Sequence, residues 1–292
     1  MSTDLPEPTE TPPPPELRRY KLTIAYDGTE FHGWQKQVSG NGGRLRTVAG
    51  VVEAALLRVL KQPIDLVGAS RTDTGVHARG QVAHFDAAIS IPIERLTMAI
   101  NSRLPRDIDV LGAQVVSPTF HAIRGAVSKQ YRYFIHNTTH RPLERRHHVW
   151  HCWWDLDIDR MRDAAARLVG THDFEGFSSA GHGRTTTVRT IHTCDVLRRR
   201  DAPQVEIVVA GDGFLYNMVR IIAGTLVEVG RSHLEPHVMD KVLESRNRRD
   251  AGPRVPACGL WLEWIAYGSD GATERRSDEA TKGFRLDDLG VH

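Results

Sequence analysis

The segment Gly68-Ala-Ser-Arg-Thr-Asp-Thr-Gly-Val-His-Ala-Arg-Gly80 is dense in Gly, Ser, Thr and charge, as loops that display functional groups often are. Within it Asp73 stands two residues from Arg71, and a guanidinium that close would hold the carboxylate ionised and aimed, as a nucleophile or base requires. The plainer account, an Asx-turn beside a solvated Arg, fits the same residues. In Lys129-Gln-Tyr-Arg-Tyr-Phe-Ile135, the side chains of Tyr131, Tyr133 and Ile135 share one strand face, where a Tyr serves equally well as core. In Gly213-Phe-Leu-Tyr-Asn-Met-Val-Arg220, Arg220 falls near the edge of an apolar helix face made by Leu215, Met218, Val219 and Ile222. Such an Arg either finds a carboxylate or snorkels to water.

The histidines His136, His140, His147, His148 and His151, with Cys152, invite a metal reading. No zinc-binding spacing accompanies them, and Arg141, Arg145 and Arg146 interleave, so no metal is expected and the run reads as a phosphate contact or a plain exposed loop. Arg198 to Arg200, and Arg246, Arg248, Arg249 and Arg254, form further basic clusters. Gly40-Asn-Gly-Gly43 lacks the Lys-Ser/Thr and the preceding strand of a phosphate-cradling loop, so no nucleotide cofactor is expected either.

Alternation at Tyr20, Leu22, Ile24 and Tyr26 predicts a strand that ends at Asp27-Gly28. Val48, Val51, Val52, Ala55, Leu56, Val59 and Leu60 recur as on an amphipathic helix, with Thr47 as N-cap. Strand-like runs follow at 64–67 and 81–85, a helix from Ile93 to about Ser102, and a strand at 108–116. The order β-α-β-β-α-β then repeats: a strand at 130–136, a helix at 158–169, strands at 188–197 and 205–210, helices at 214–229 and 236–245, and a strand at 260–267. The predicted fold is α+β, two ferredoxin-like or RRM-like units with antiparallel sheets, one over residues 18–117 and one over 118–268.

A chain of 292 residues with 40% apolar and 25% charged residues has the composition of a soluble globular protein, and no charge-free apolar run reaches membrane-spanning length. Residues 1–17 hold six prolines and four acids and no Lys or Arg; they read as a disordered tail, unlike a signal or transit peptide. Residues 269–292 read as a second charged tail. Net charge is +2, but the body between the tails carries 34 bases against 26 acids, a net +8 compatible with a phosphate-bearing partner. Cys152, Cys194 and Cys258 lie far apart and suit a reducing cytoplasm.

Taken together, Tyr26-Asp-Gly-Thr-Glu-Phe-His-Gly-Trp-Gln35, Arg71-Thr-Asp-Thr-Gly-Val-His-Ala78, Gln81-Val-Ala-His-Phe85, Lys129-Gln-Tyr-Arg-Tyr133, Asn217-Met-Val-Arg220 and Gly259-Leu260 resemble, in order, the TruA family of tRNA pseudouridine synthases. The resemblance implies an isomerase that breaks the N-glycosidic bond of uridine, turns the uracil and rejoins it through carbon, without a cofactor. It places the essential carboxylate at Asp73, acting by addition to the sugar or by elimination. Arg220 would keep it ionised across an RNA-binding cleft between the units. Tyr131 would stack on the flipped base and serve at C5 deprotonation, Arg71 would hold the base's place or a phosphate, and Leu260 would form an apolar wall. It further implies a homodimer acting on the anticodon stem-loop of tRNA, at tRNA positions 38, 39 and 40, with no membrane partner. Two positions depart from the family pattern: Thr47-Val-Ala-Gly50 replaces Thr-Val-Gln-Gly after a Gly-rich extension over 38–46, and Ser70 replaces Gly. Two rivals remain. One is a catalytically silent RNA-binding module; the other is a nucleosidase using Asp73, which would need a second positioned carboxylate.

Overall fold

The computed structural model describes residues 15–38, 40, 42–179, 185–200 and 202–268. Both proposed tails therefore lie largely outside the described residues. Strand β1 (Leu17–Tyr26) begins at Leu17 and buries the alternating side chains of Tyr20, Leu22, Ile24 and Tyr26. It leads to α1 (Val48–Leu60), whose apolar stripe of Val48, Ala49, Val52, Ala55 and Leu56 is buried. Thr47 has the extended backbone of an N-cap, but its side chain makes no capping hydrogen bond. Short β2 (Val67–Gly68), long β3 (His77–Ala88), α2 (Ile93–Asn101) and β4 (Ile108–Val116) complete the first half.

The second half runs β5 (Ala126–Asn137), β6 (Trp150–Cys152), α3 (Ile158–Ala166), β7 (Gly170–Asp173), β8 (Val188–Arg198), β9 (Gln204–Gly211), α4 (Met218–Gly230), α5 (Val238–Ser245) and β10 (Leu260–Tyr267). All strands share one sheet, ordered β4-β1-β3-β10-β5-β9-β8-β7, with β2 on β3 and β6 on β5. In the first half β1 lies between β4 and β3, and in the second β5 lies between β10 and β9 with β8 beyond, so the repeat read from element order is present in space as well. Helices α1 and α2 pack together, as do α3 and α4.

The two expected sheets are joined into one. They fuse edge to edge, because β10 pairs antiparallel with β5 on one side and parallel with β3 on the other. That parallel junction is short, Trp261 opposite His77 and Leu262 opposite Ala78, and it begins where the loop carrying Asp73 enters β3. The fold thus brings the catalytic candidate of the first half to the seam with the second.

Helix α4 corrects two expectations. It starts at Met218, not Phe214, because Asn217 adopts the left-handed conformation (φ 62°) and turns residues 213–217 into a separate entry loop. Its whole circumference is buried apart from Glu228, so Arg220 sits inside the protein and not at a solvated edge. No helix of the described residues is long and apolar enough to cross a membrane.

Candidate active site

The Asp73 loop is shaped from the first half. Trp34 N donates to Thr72 O at 3.0 Å, Gly75 N to Phe31 O at 3.3 Å, and Val76 N to Asp73 O at 3.1 Å. The Thr72 hydroxyl is 2.7 Å from that of the buried Tyr26. Gly33 makes this approach possible: its φ is +81°, and a Cβ there would meet Thr72 O at 2.6 Å. With Thr72 pulled into the body, Arg71 is left exposed and Asp73 half-buried.

Arg71 does not hold Asp73. It lines instead a groove of about 210 Å³, together with Trp34, Lys36 and Gly68. The cation at the carboxylate is Arg220, 147 residues away, whose Nη1 lies 3.4 Å from Asp73 Oδ2. Burial of the loop at Thr72 is the physical reason: closeness along the chain does not decide which guanidinium can turn inward. Arg220 is aimed by two further contacts, Nε donating to Val255 O at 2.9 Å and Nη1 to Asn217 Oδ1 at 3.2 Å. Asn217 in turn donates to Ser179 Oγ at 2.9 Å. The left-handed turn that delays α4 therefore also braces its arginine.

Burial governs the charges here. It lifts the Asp73 carboxyl above the usual Asp value, and the charge and hydrogen bond of Arg220, then the charge of Arg254, oppose that lift without cancelling it. Burial likewise lowers Arg220 from the ordinary Arg value, with Asp73 acting the other way. Both shifts describe a pair drawn from water, with side-chain exposures of 11% for Arg220 and 25% for Asp73. Arg254, one basic residue among several in the sequence, joins the site through the segment that follows α5.

Tyr131 reaches the site from β5. It is buried, its ring meets Phe214 edge-on at 5.2 Å, and its hydroxyl lies 2.8 Å from Ser70 Oγ. Burial pushes the phenol up to about 12; the Ser70 hydrogen bond opposes this and the charge of Asp73 adds to it. Leu260 opens β10 opposite Tyr133 and is buried. Before it, Gly259 passes so close to Tyr133 that a Cβ would lie 2.7 Å from the ring, and the Tyr133 hydroxyl donates to Pro256 O at 2.7 Å.

Other sequence candidates are consumed elsewhere. His148 Nε2 lies 2.8 Å from Asp27 Oδ2, and His77 Nδ1 lies 3.1 Å from Asp27 Oδ1 and 3.0 Å from Gly28 N. Asp27, His77 and His148 present three ligand-type atoms close together. Asp27 bridges the two imidazoles, and Gly28 N–H donates to the same His77 nitrogen that faces the carboxylate. Arg145 donates to Gln204 Oε1, Arg146 to Leu143 O, Arg198 to Asn137 Oδ1, and Arg199 pairs with buried Glu206. The three cysteines are free thiols.

The site thus joins a half-buried carboxylate, a braced arginine and a buried phenol drawn from both halves. The profile of the family described as tRNA pseudouridine synthase matches residues 22–124 and 164–268. A tRNA pseudouridine synthase A of Acetivibrio thermocellus is 45% identical over 86% of this chain and 100% of its own length. Those of Bacillus pumilus and Bacillus subtilis are 45% and 44% identical over 85% of this chain, and 99% and 98% of theirs. Among solved structures, an H/ACA RNP bound to a substrate RNA containing 2′-deoxyuridine matches at 10% identity and a TM-score of 0.33, over 85% of this chain and 48% of that one. That likeness is too distant to add to the case. On the family profile and these identities, the chain belongs to the tRNA pseudouridine synthase family.

Proposed function

We propose that this protein isomerises uridine to pseudouridine in tRNA, with Asp73 acting on a nucleotide extruded into the seam between the two halves. The meeting of Asp73 with Arg220 at that seam carries the reading. The reaction moves C1′ of the ribose from N1 to C5 of the uracil. A proton leaves C5 and one arrives at N1, so neither redox partner nor water is consumed.

Asp73 opens the N1–C1′ bond, and only its ionised form can do so. Arg220 supplies the charge that favours that form against burial, which disfavours it. Tyr131 stacks on the extruded uracil and stands by for loss of the C5 proton. With its phenol pushed up to about 12, it keeps its own proton at neutral pH and receives another only while giving that one up. Leu260 closes the site as an apolar wall that keeps water from the opened sugar. Exposed Arg71 and Arg254 meet backbone phosphates, which offsets the few kcal/mol that base extrusion costs.

The same reading assigns residues 18–117 and 118–268 as the two walls of the RNA cleft. It takes uridines 38, 39 and 40 of the anticodon stem-loop as targets, a homodimer as the working form and the cytoplasm as the compartment. The deciding test is incubation with tRNA tritiated at uridine C5. Isomerisation releases tritium and leaves pseudouridine at the labelled positions. A silent RNA-binding module releases none, and a nucleosidase leaves free uracil.

A further inference from the structure

Two side chains of β5 reach across the seam to one dipeptide of the first half. Lys129 Nζ donates to Ala69 O at 2.8 Å, and Tyr131 Oη contacts Ser70 Oγ at 2.8 Å. The backbone at that dipeptide is held on every side. Ala69 N donates to Val82 O at 2.7 Å, Ser70 N to Gln81 Oε1 at 3.2 Å, and Gln81 Nε2 donates back to Ser70 O at 2.6 Å. Ser70 is therefore a fixed post, three residues ahead of Asp73. Among the described residues its hydroxyl is the one hydrogen-bond partner of the Tyr131 hydroxyl. An Ala or Gly at position 70 leaves that buried phenol oxygen without a protein partner.

We infer that Ser70 is a positioning residue for Tyr131, fixing the phenol oxygen over the C5 edge of the rotated uracil and completing the proton exchange there. The inference rests on the role given to Tyr131 above. As the C5–H bond breaks, Oη takes that proton and its own passes to Ser70 Oγ. The Ser70 proton leaves to water, which half-buried Ser70 can reach, so one proton departs to solvent for the one lost from C5. Ser70 also ties the phenol to the segment that carries the carboxylate, so the two groups keep one spacing.

The test compares turnover on tRNA carrying 5-deuterouridine and 5-protiouridine for wild type, Ser70→Ala, Ser70→Thr, Tyr131→Phe and the Ser70→Ala/Tyr131→Phe double variant, with thermal melting of each. Ser70→Ala is expected to lower kcat about tenfold, the size of one lost hydrogen bond, with KM for tRNA unchanged and a larger C5 deuterium effect. Ser70→Thr keeps the hydroxyl and is expected to return both values toward wild type. In the Tyr131→Phe background, Ser70→Ala is expected to add nothing. The inference is overturned by wild-type kcat in Ser70→Ala, by a loss with an unchanged deuterium effect, or by an additive loss in the double variant. Wild-type turnover in Tyr131→Phe instead sinks the assignment of Tyr131, and the role of Ser70 with it.

Discussion

Asp27 and Asp73 sit at two loops that enclose the same corner of the first half, and their surroundings are opposite. Asp27 is saturated: it contacts His148 and His77, and accepts from the backbone and hydroxyl of Thr29. Those bonds outweigh burial and hold its carboxyl far below the usual carboxylate range. Asp73 has one ion pair, at 3.4 Å, and burial wins. A carboxylate with every lone pair engaged is an anchor, whereas one short of partners keeps the basicity and the open face a reagent needs. On the proposed function, stability rests on Asp27 and reactivity on Asp73.

The largest effect expected from that contrast is Asp73→Ala. Tritium release should fall by a factor of about 10⁴ or more while tRNA binding stays within about twofold. The folded-state pKa of Asp73 lies above its unfolded value, so the ionised group costs stability at neutral pH and its removal should not lower the melting temperature. A variant that melts well below wild type breaks the contrast. Arg220→Gln should lower turnover about 100-fold and shift the acidic limb of the pH–rate profile to higher pH, because activity follows ionised Asp73 and its opposing cation is gone. An unmoved limb assigns the titration elsewhere.

Asp27→Asn should do the reverse of Asp73→Ala: turnover at 25 °C changes little, and stability drops. Loss of charged hydrogen bonds costs about 1–3 kcal/mol, held to the lower end because the carboxylate is 37% exposed, or a few degrees of melting temperature. Asp27 is depressed on folding, so its contribution is complete above the unfolded carboxylate value and fades as pH falls below about 4. Melting curves of the two proteins should therefore converge on acidification. The smallest effects belong to Arg71→Ala and Arg254→Ala, each reducing the salt dependence of tRNA binding by about one counterion without altering melting.

Local periodicity carried most of the fold. The apolar stripe of α1 and the alternation of β1 are visible because one face of each is buried. Strands β6 and β7 are three and four residues long, too short to show a period, and the strand-like run at 64–67 shrinks to the two-residue β2. The β3–β10 junction joins residues some 180 positions apart and leaves no local trace. Asp73, Tyr131 and Arg220 are legible through the motifs, and so is the Asp73–Arg220 pair, whereas the Ser70 hydroxyl at Tyr131 and the Asn217 and Val255 contacts that brace Arg220 leave no mark in the sequence. Chain proximity alone points Arg71 at Asp73, and packing at Thr72 leaves that place to Arg220. The Asp27, His77 and His148 cluster was hidden because its members come from three segments. Asn217 was visible as a residue, but its left-handed turn was not, and the start of α4 was misplaced with it.

The strand that seals the seam is the last one in the described chain. Since β10 lies between β3 and β5, a ribosome must deliver the chain through Tyr267 before the middle of the sheet can close. Until then β3 and β5 each present an unpaired edge able to template association with other chains, so products cut short before Leu260 should be both inert and prone to clumping. Chemical competence therefore waits on the arrival of a strand made long after the two that it joins.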